Sequence, residues 1–228
     1  MHAKDGPPLQ TMNLGAIFDW DGVVVDSAAQ HERSWELLAK EEQKPLPPDH
    51  FEQGFGKVNT FIIPNLLKWA DDPGEVRRLD LRKEELYREL LRENPITELP
   101  GVRDLLHGLK DAGIPSVVGS STPRRNLEVC IEVLGLEGLF HDLVSADDVT
   151  HGKPDPEVFL KAAARIDRDP GRCVVFEDSL HGIEAGLAGG MKVVGVATTH
   201  EADKLTVAHK IIHRLTEITV PVLEDLVA

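Results

Sequence analysis

Four short apolar runs mark the chain: LGAIF (14–18), PSVVG (115–119), CVVFE (173–177) and KVVGV (192–196). Each is rich in Val or Ile, does not alternate with polar residues, and is bounded by polar or glycine-bearing turns. That is the pattern of a strand covered on both faces in a parallel sheet. HDLVSA (141–146) is a weaker fifth run, and KIIHRL (210–215) reads as a short strand before a closing helix. Between the runs lie amphipathic segments: VRDLLHGLKDAG, RRNLEVCIEVLG, PEVFLKAAARI and LHGIEAGLAGG. Several of them stop at glycine, a common helix C-terminus. Strands alternating with helices predict an α/β fold, a Rossmann-like parallel sheet with right-handed crossovers.

One stretch breaks the alternation. From 28 to 98 only helical signals occur, and residues 28–42 and 75–93 are amphipathic, with Leu79, Leu86 and Leu90 at helical spacing. Pro45, Pro47 and Pro48 separate the first helix from the rest of the stretch. The expected organisation is therefore an α/β core from 12–27 and 99–228, a helical insert over 28–98, and a flexible tail at 1–11. The insert comes directly after the first strand, a position that suits a lid over whatever that strand end carries.

Composition narrows the partners. The chain has 228 residues, 41% of them hydrophobic, and a formal net charge of −14. Such an acidic chain is a poor binder of nucleic acid or anionic membrane. It also repels phosphorylated ligands unless a site is locally positive or holds a metal. Cys130 and Cys173 lack metal-ligand spacing and read as buried thiols in a reducing compartment. No run is apolar for long enough to span a bilayer, and MHAKDGPPLQTM has no hydrophobic signal region. The expectation is a cytoplasmic monomer acting on a small molecule.

Ligands of parallel α/β sheets bind at the carboxyl ends of strands. The first strand ends in Asp19 and Asp21, followed by Gly22. The second ends in Ser120, Ser121 and Thr122; Lys153 comes after the weak strand in HGKPDP; CVVFE ends in Glu177 and runs into Asp178 and the turn SLHG. Taken singly, each has an ordinary reading: a solvated turn, a turn hydroxyl, a surface lysine, the start of a helix. Their recurrence at separate strand ends does not. The carboxylates suit Mg²⁺, and the lysine and hydroxyls suit an anion, so the set describes a phosphoryl-transfer site. In it Asp19 attacks phosphorus, and Asp21, two residues on and on the same side of an extended chain, serves as acid and then base. Gly22 lets the backbone turn and come close to the phosphate.

DWDGVVVDS, VVGSST, GKPDPEVF and VVFEDSLHGIEAG resemble, in that order, the four signatures of the haloacid-dehalogenase superfamily of phosphohydrolases. The resemblance spans the whole core, and the combination is specific although no single piece is. It implies Asp19 as nucleophile and metal ligand, and Asp21 as acid/base with its carbonyl on the metal. It further implies Ser120 and Lys153 on the phosphate, with Ser121 beside them, and Asp178 on Mg²⁺ with Glu177 assisting. The insert resembles the family's helical cap of the first type, and the nearest branch is that of β-phosphoglucomutase-like proteins and sugar-phosphate phosphatases.

Within that cap the resemblance points to His31 and Lys83, and to Lys57 and Asn59 of the loop GFGKVN, as substrate residues. Lys83 lies in a charge-rich helix, where a solvated lysine is an equally good reading. The mutase branch carries an arginine where this chain has Asn59, and a serine-lysine-asparagine run where it has Thr122, Pro123 and Arg124. Those residues grip a second phosphate, so their replacement favours a phosphatase over a hexose-phosphate mutase. A dehalogenase, needing no Mg²⁺, fits the acidic strand ends less well. A receiver-like phospho-acceptor would have neither the helical insert nor a partner such as Asp21.

Overall fold

The computed structural model describes residues 13–54 and 57–228. The tail expected at 1–11, and Phe55 and Gly56 of the loop GFGKVN, lie outside the described residues. The described residues divide into two compact units: those up to Asp26, with 97–127 and 135–228, form the first, and those within 27–96, with 128–134, the second.

The first unit is built on a six-stranded parallel sheet. Its strands are β1 (Gly15–Phe18), β2 (Ser116–Gly119), β3 (Asp142–Val144), β4 (Cys173–Glu177), β5 (Lys192–Val196) and β6 (Lys210–Ile212), in the order β3-β2-β1-β4-β5-β6. All five pairings are parallel, as continuous apolar runs predict. Side chains alternate between the two faces. Ile17, Val117, Val175 and Val193 share one hydrophobic cluster with Val158 and Phe159. On the opposite face, the Phe18 and Phe176 rings stack with centroids 4.6 Å apart.

The helices of this unit coincide with the amphipathic segments: α5 (Val102–Asp111), the first turn of α6 (Arg124–Leu134), α7 (Glu157–Arg165), α8 (Leu180–Ala188) and α9 (Val220–Val227). The second unit holds α1 (Ala28–Glu41), α2 (His50–Gly54), α3 (Asn59–Phe61), α4 (Pro73–Glu93) and the rest of α6. Helix α4 starts where the sequence puts a cap and a proline together. The Asp72 side chain accepts from Glu75 N at 2.9 Å, and Pro73 occupies the first turn. Its apolar stripe packs on α1 through Trp35, Leu38, Val76, Leu79 and Leu86. Among the described residues no helix is long and apolar enough to cross a membrane.

Candidate active site

Sheet order decides which strand ends meet. Strand β1 lies between β2 and β4, with Phe18 in register with Val118 and with Phe176. Asp19 and Ser120, just beyond β1 and β2, and Glu177, the last residue of β4, therefore emerge side by side. Asp19 N donates to Phe176 O at 3.0 Å, so the chain is still tied to the sheet where the first carboxylate appears. It then folds back: Val24 N donates to Trp20 O and Gly22 N to Val25 O, both at 2.8 Å. Trp20 is fully buried and packs against Phe140, which anchors this turn. Gly22 has φ +78°, and a Cβ there would stand 2.0 Å from Asp178 Oδ2. Any side chain at this position would drive Asp178 out of the cluster.

The Lys153 ammonium reaches back to Asp19 Oδ1 at 2.8 Å and to Glu177 Oε1 at 2.7 Å. It also lies 4.7 Å from the centroid of the Phe159 ring. The other Glu177 oxygen accepts from Ser179 N at 2.7 Å and Ser179 Oγ at 2.9 Å. Gly182 makes room for this carboxylate, since a Cβ there would fall 1.6 Å from Glu177 Oε1. Glu177 is thus held at both oxygens and ties Lys153 to the start of α8. Asp178 is hydrogen-bonded by the Thr199 side chain.

Asp19, Glu177 and Asp178 are all less than a tenth exposed, and each offers an oxygen within 4.8 Å of the others. Three clustered carboxylates thus share one ammonium, which bonds two of them. Burial, together with the Glu177 and Asp21 charges, pushes the Asp19 carboxyl up to about 7 against the pull of Lys153. Burial, then Glu177 and Asp19, pushes Asp178 up to about 8. Burial works against the Lys153 charge, but Asp19 and Glu177 outweigh it and hold the ammonium above its ordinary range. The surplus negative charge and the all-oxygen donor set fit a hard divalent cation such as Mg²⁺, which takes carboxylate and water ligands.

Lys153 carries a stability prediction. Removing one partner of a buried ion pair leaves the other uncompensated, at about 3–5 kcal/mol. Lys153→Met should therefore lower Tm in EDTA by about 6–20 °C for a chain of this size, measured by calorimetry. A shift of under ~2 °C would mean that the pairing contributes little.

The hydroxyl end of β2 separates by role. Ser120 is buried, and its Oγ accepts from Thr122 N at 3.1 Å. Thr122 Oγ1 donates to Asp21 Oδ2 at 2.5 Å. Ser121 is exposed. Thr199, which follows the run KVVGV and so stands where a strand end could border the site, completes the cluster with Ser179, Gly182 and Phe159, and sequence reasoning did not single out the last three for these contacts. The local signal for Gly182 lies within VVFEDSLHGIEAG itself, where a glycine comes one helical turn after the acidic pair.

The four cap candidates belong to the second unit. Lys83 is 2% exposed, so the solvated reading is corrected. Its Nζ lies 2.7 Å from His31 Nδ1 and 3.0 Å from Glu84 Oε1. The His31 ring stacks on Tyr87 with centroids 4.0 Å apart. Asn59 Nδ2 donates to Asp80 Oδ1 at 2.9 Å and to Glu84 Oε1 at 2.6 Å. Lys57 is exposed and its Nζ donates to Gln53 O. Asn59 and Lys83 thus meet at Glu84, His31 joins them through Lys83, and Lys57 bonds none of the three.

A family model described as haloacid dehalogenase-like hydrolase matches residues 15–190. A 5-amino-6-(5-phospho-D-ribitylamino)uracil phosphatase, chloroplastic, of Arabidopsis thaliana is 38% identical over 216 residues, covering 93% of this chain. The chain spans only 57% of the length of that relative. A β-phosphoglucomutase of Bacillus subtilis is 30% identical over 217 residues, covering 92% of this chain and 93% of that protein. Among solved structures, a HAD hydrolase, family IA, variant 3, from Entamoeba histolytica superposes with a TM-score of 0.85 at 28% identity, covering 94% of this chain and 99% of that one.

Proposed function

Because this chain belongs to the haloacid dehalogenase-like hydrolases, we propose that it is a Mg²⁺-dependent phosphatase of a small phosphorylated metabolite, a sugar phosphate, acting through an aspartyl-phosphate. The observation that carries the reading is the buried carboxylate cluster with its single bridging lysine.

In this mechanism Asp19 attacks phosphorus in line and takes the phosphoryl group onto its carboxylate. Lys153 fixes the Asp19 carboxylate and, with the Ser120 hydroxyl, receives the phosphate oxygens. Asp21 gives its proton to the leaving alkoxide and then takes one from the water that cleaves the aspartyl-phosphate. Glu177 keeps Lys153 in place. Asp19, Asp178 and the Asp21 carbonyl would hold Mg²⁺, with Glu177 beside them. When bound, the ion supplies positive charge to offset that of the phosphoryl oxygens. The helical unit takes the part of the cap, in which Lys83 joins His31 and is itself held by Glu84.

A hexose-phosphate mutase using the same aspartyl-phosphate is the alternative, and the B. subtilis relative keeps it in view. Lys57 and Arg124 are the residues that could replace the missing grip on a second phosphate; Lys57 is exposed, whereas Arg124 and the replaced position Asn59 speak against a mutase. Arg124 Nη2 is committed to Leu143 O at 2.9 Å and to Asp148 Oδ2 at 2.8 Å. Asn59 is committed to Asp80 and Glu84. The test is incubation in Mg²⁺ with β-glucose 1-phosphate and a trace of the 1,6-bisphosphate, beside a panel of sugar phosphates. Phosphate release without glucose 6-phosphate is expected; glucose 6-phosphate without phosphate release would make the protein a mutase.

The metal assignment has its own consequence. The native state keeps protons on Asp19 up to about 7 and on Asp178 up to about 8, whereas ordinary aspartates lose theirs near 3.8. Where the native state binds more protons, stability falls with rising pH. In EDTA, Tm should therefore fall as pH rises from about 5 to about 8. Mg²⁺ competes with those protons, so its Tm gain should grow over the same range. At 100-fold saturation that gain is about 2.7 kcal/mol, or roughly 5–10 °C. Thermal melts at three pH values test this, and a Tm gain from Mg²⁺ that shrinks with pH would contradict it.

A further inference from the structure

Resting on the phosphatase reading above, we propose that Thr122 is a positioning residue for Asp21, holding its carboxylate where the leaving oxygen can take the proton. The Thr122 Oγ1 to Asp21 Oδ2 distance of 2.5 Å lies in the range of a charge-assisted hydroxyl–carboxylate bond. A turn hydroxyl ordinarily bonds its own neighbouring backbone. This one instead reaches a side chain 101 positions away in sequence.

Thr122 is a fixed post. It is 7% exposed, its N donates to Ser120 Oγ at 3.1 Å, and its carbonyl accepts from Ala146 N at 3.1 Å. Asp21 is half-buried and sits on the turn beyond β1, and the Thr122 hydroxyl restrains its carboxyl there. A hydroxyl can donate to the carboxylate and accept from the carboxylic acid, so the tether survives both protonation states.

The protons balance without Thr122 giving up its own. In the first step the Asp19 oxygen–phosphorus bond forms, the bond from phosphorus to the leaving oxygen breaks, and the Asp21 proton passes to that oxygen. In the second, water adds to phosphorus, the Asp19 oxygen–phosphorus bond breaks, and a water proton returns to Asp21.

The test compares two esters. An alkyl phosphate has a leaving group that needs the Asp21 proton; p-nitrophenyl phosphate has one that departs as a stable phenolate. Thr122→Val should lower kcat/KM by about 10–100-fold on the alkyl ester, part of the full worth of a general acid, and by no more than about threefold on the aryl ester. Thr122→Ser, which keeps the hydroxyl, should stay within about threefold of the parent on both. If the valine variant does not fold, Thr122→Ala carries the same comparison. Equal losses on the two esters, or no loss on the alkyl ester, would overturn the positioning role while leaving the phosphatase reading intact. A parent protein inactive on both esters in Mg²⁺ would instead overturn the phosphatase reading and this role with it.

Discussion

Asp19→Asn is expected to abolish turnover, by roughly 10⁴–10⁶ in kcat, the scale on which loss of a covalent nucleophile acts. The substitution keeps the shape of the side chain and removes the nucleophilic oxygen. It should not unfold the protein, because Lys153 keeps its 2.7 Å bond to Glu177. It also removes one of the three carboxylates whose burial, and then mutual repulsion, raises Asp19 and Asp178. In EDTA at pH 8 the variant should therefore melt at or slightly above the parent. Phosphate release, together with the mass of protein quenched in acid during turnover, measures both points. The variant should show no phosphoryl adduct, and residual activity within about 100-fold of the parent would remove Asp19 from the nucleophile's role.

That prediction joins two kinds of information that were not equally legible. The fold was readable because each strand is a contiguous apolar run and each signature is a contiguous string. The sheet order β3-β2-β1-β4 then brings the ends of β1, β2 and β4 together, as the rule for parallel sheets implies. The pairings inside the site were not readable. Lys153 meets Asp19 across 134 positions and Thr122 meets Asp21 across 101, and no local pattern encodes either distance. Such pairs depend on the rotamers that packing allows, and they decide which carboxylates are protonated.

Lys83 shows a signal that was present and outweighed. The abundance of charge in LRKEELYREL suggests a solvent-facing lysine. Yet Lys83 stands four positions after Leu79 and three before Leu86, so it falls within the apolar stripe of α4. Position on the helix, rather than local composition, predicts its burial against His31, Glu84 and the Trp35 and Tyr87 rings. Helix α6 shows the converse limit. Its amphipathic pattern identifies a helix, but not that residues 128–134 group with the helical unit through Cys130, whose Sγ lies 3.8 Å from the Tyr87 hydroxyl. Periodicity states which face is buried, and tertiary structure decides against what.

Asp21→Asn separates the two half-reactions and with them the rival readings of the site. The amide is uncharged and neither donates a proton to a leaving alkoxide nor takes one from water. Alkyl phosphates should lose about 10²–10⁴ in rate, the usual worth of a general acid–base. An aryl phosphate needs no proton to leave, so the first step survives. The expected record is a burst of phenolate of about one equivalent per protein, then a slow steady state, with the phosphoryl adduct retained on Asp19. Asp178 and the Asp19–Lys153 pair are unchanged in the variant, so Mg²⁺ should still raise its Tm. A phospho-acceptor without hydrolytic function would be labelled alike with either residue at position 21 and would turn over in neither. A variant hydrolysing alkyl phosphates within about tenfold of the parent would mean that the proton comes from elsewhere, and Asp21 would then be no more than a carbonyl ligand beside the nucleophile.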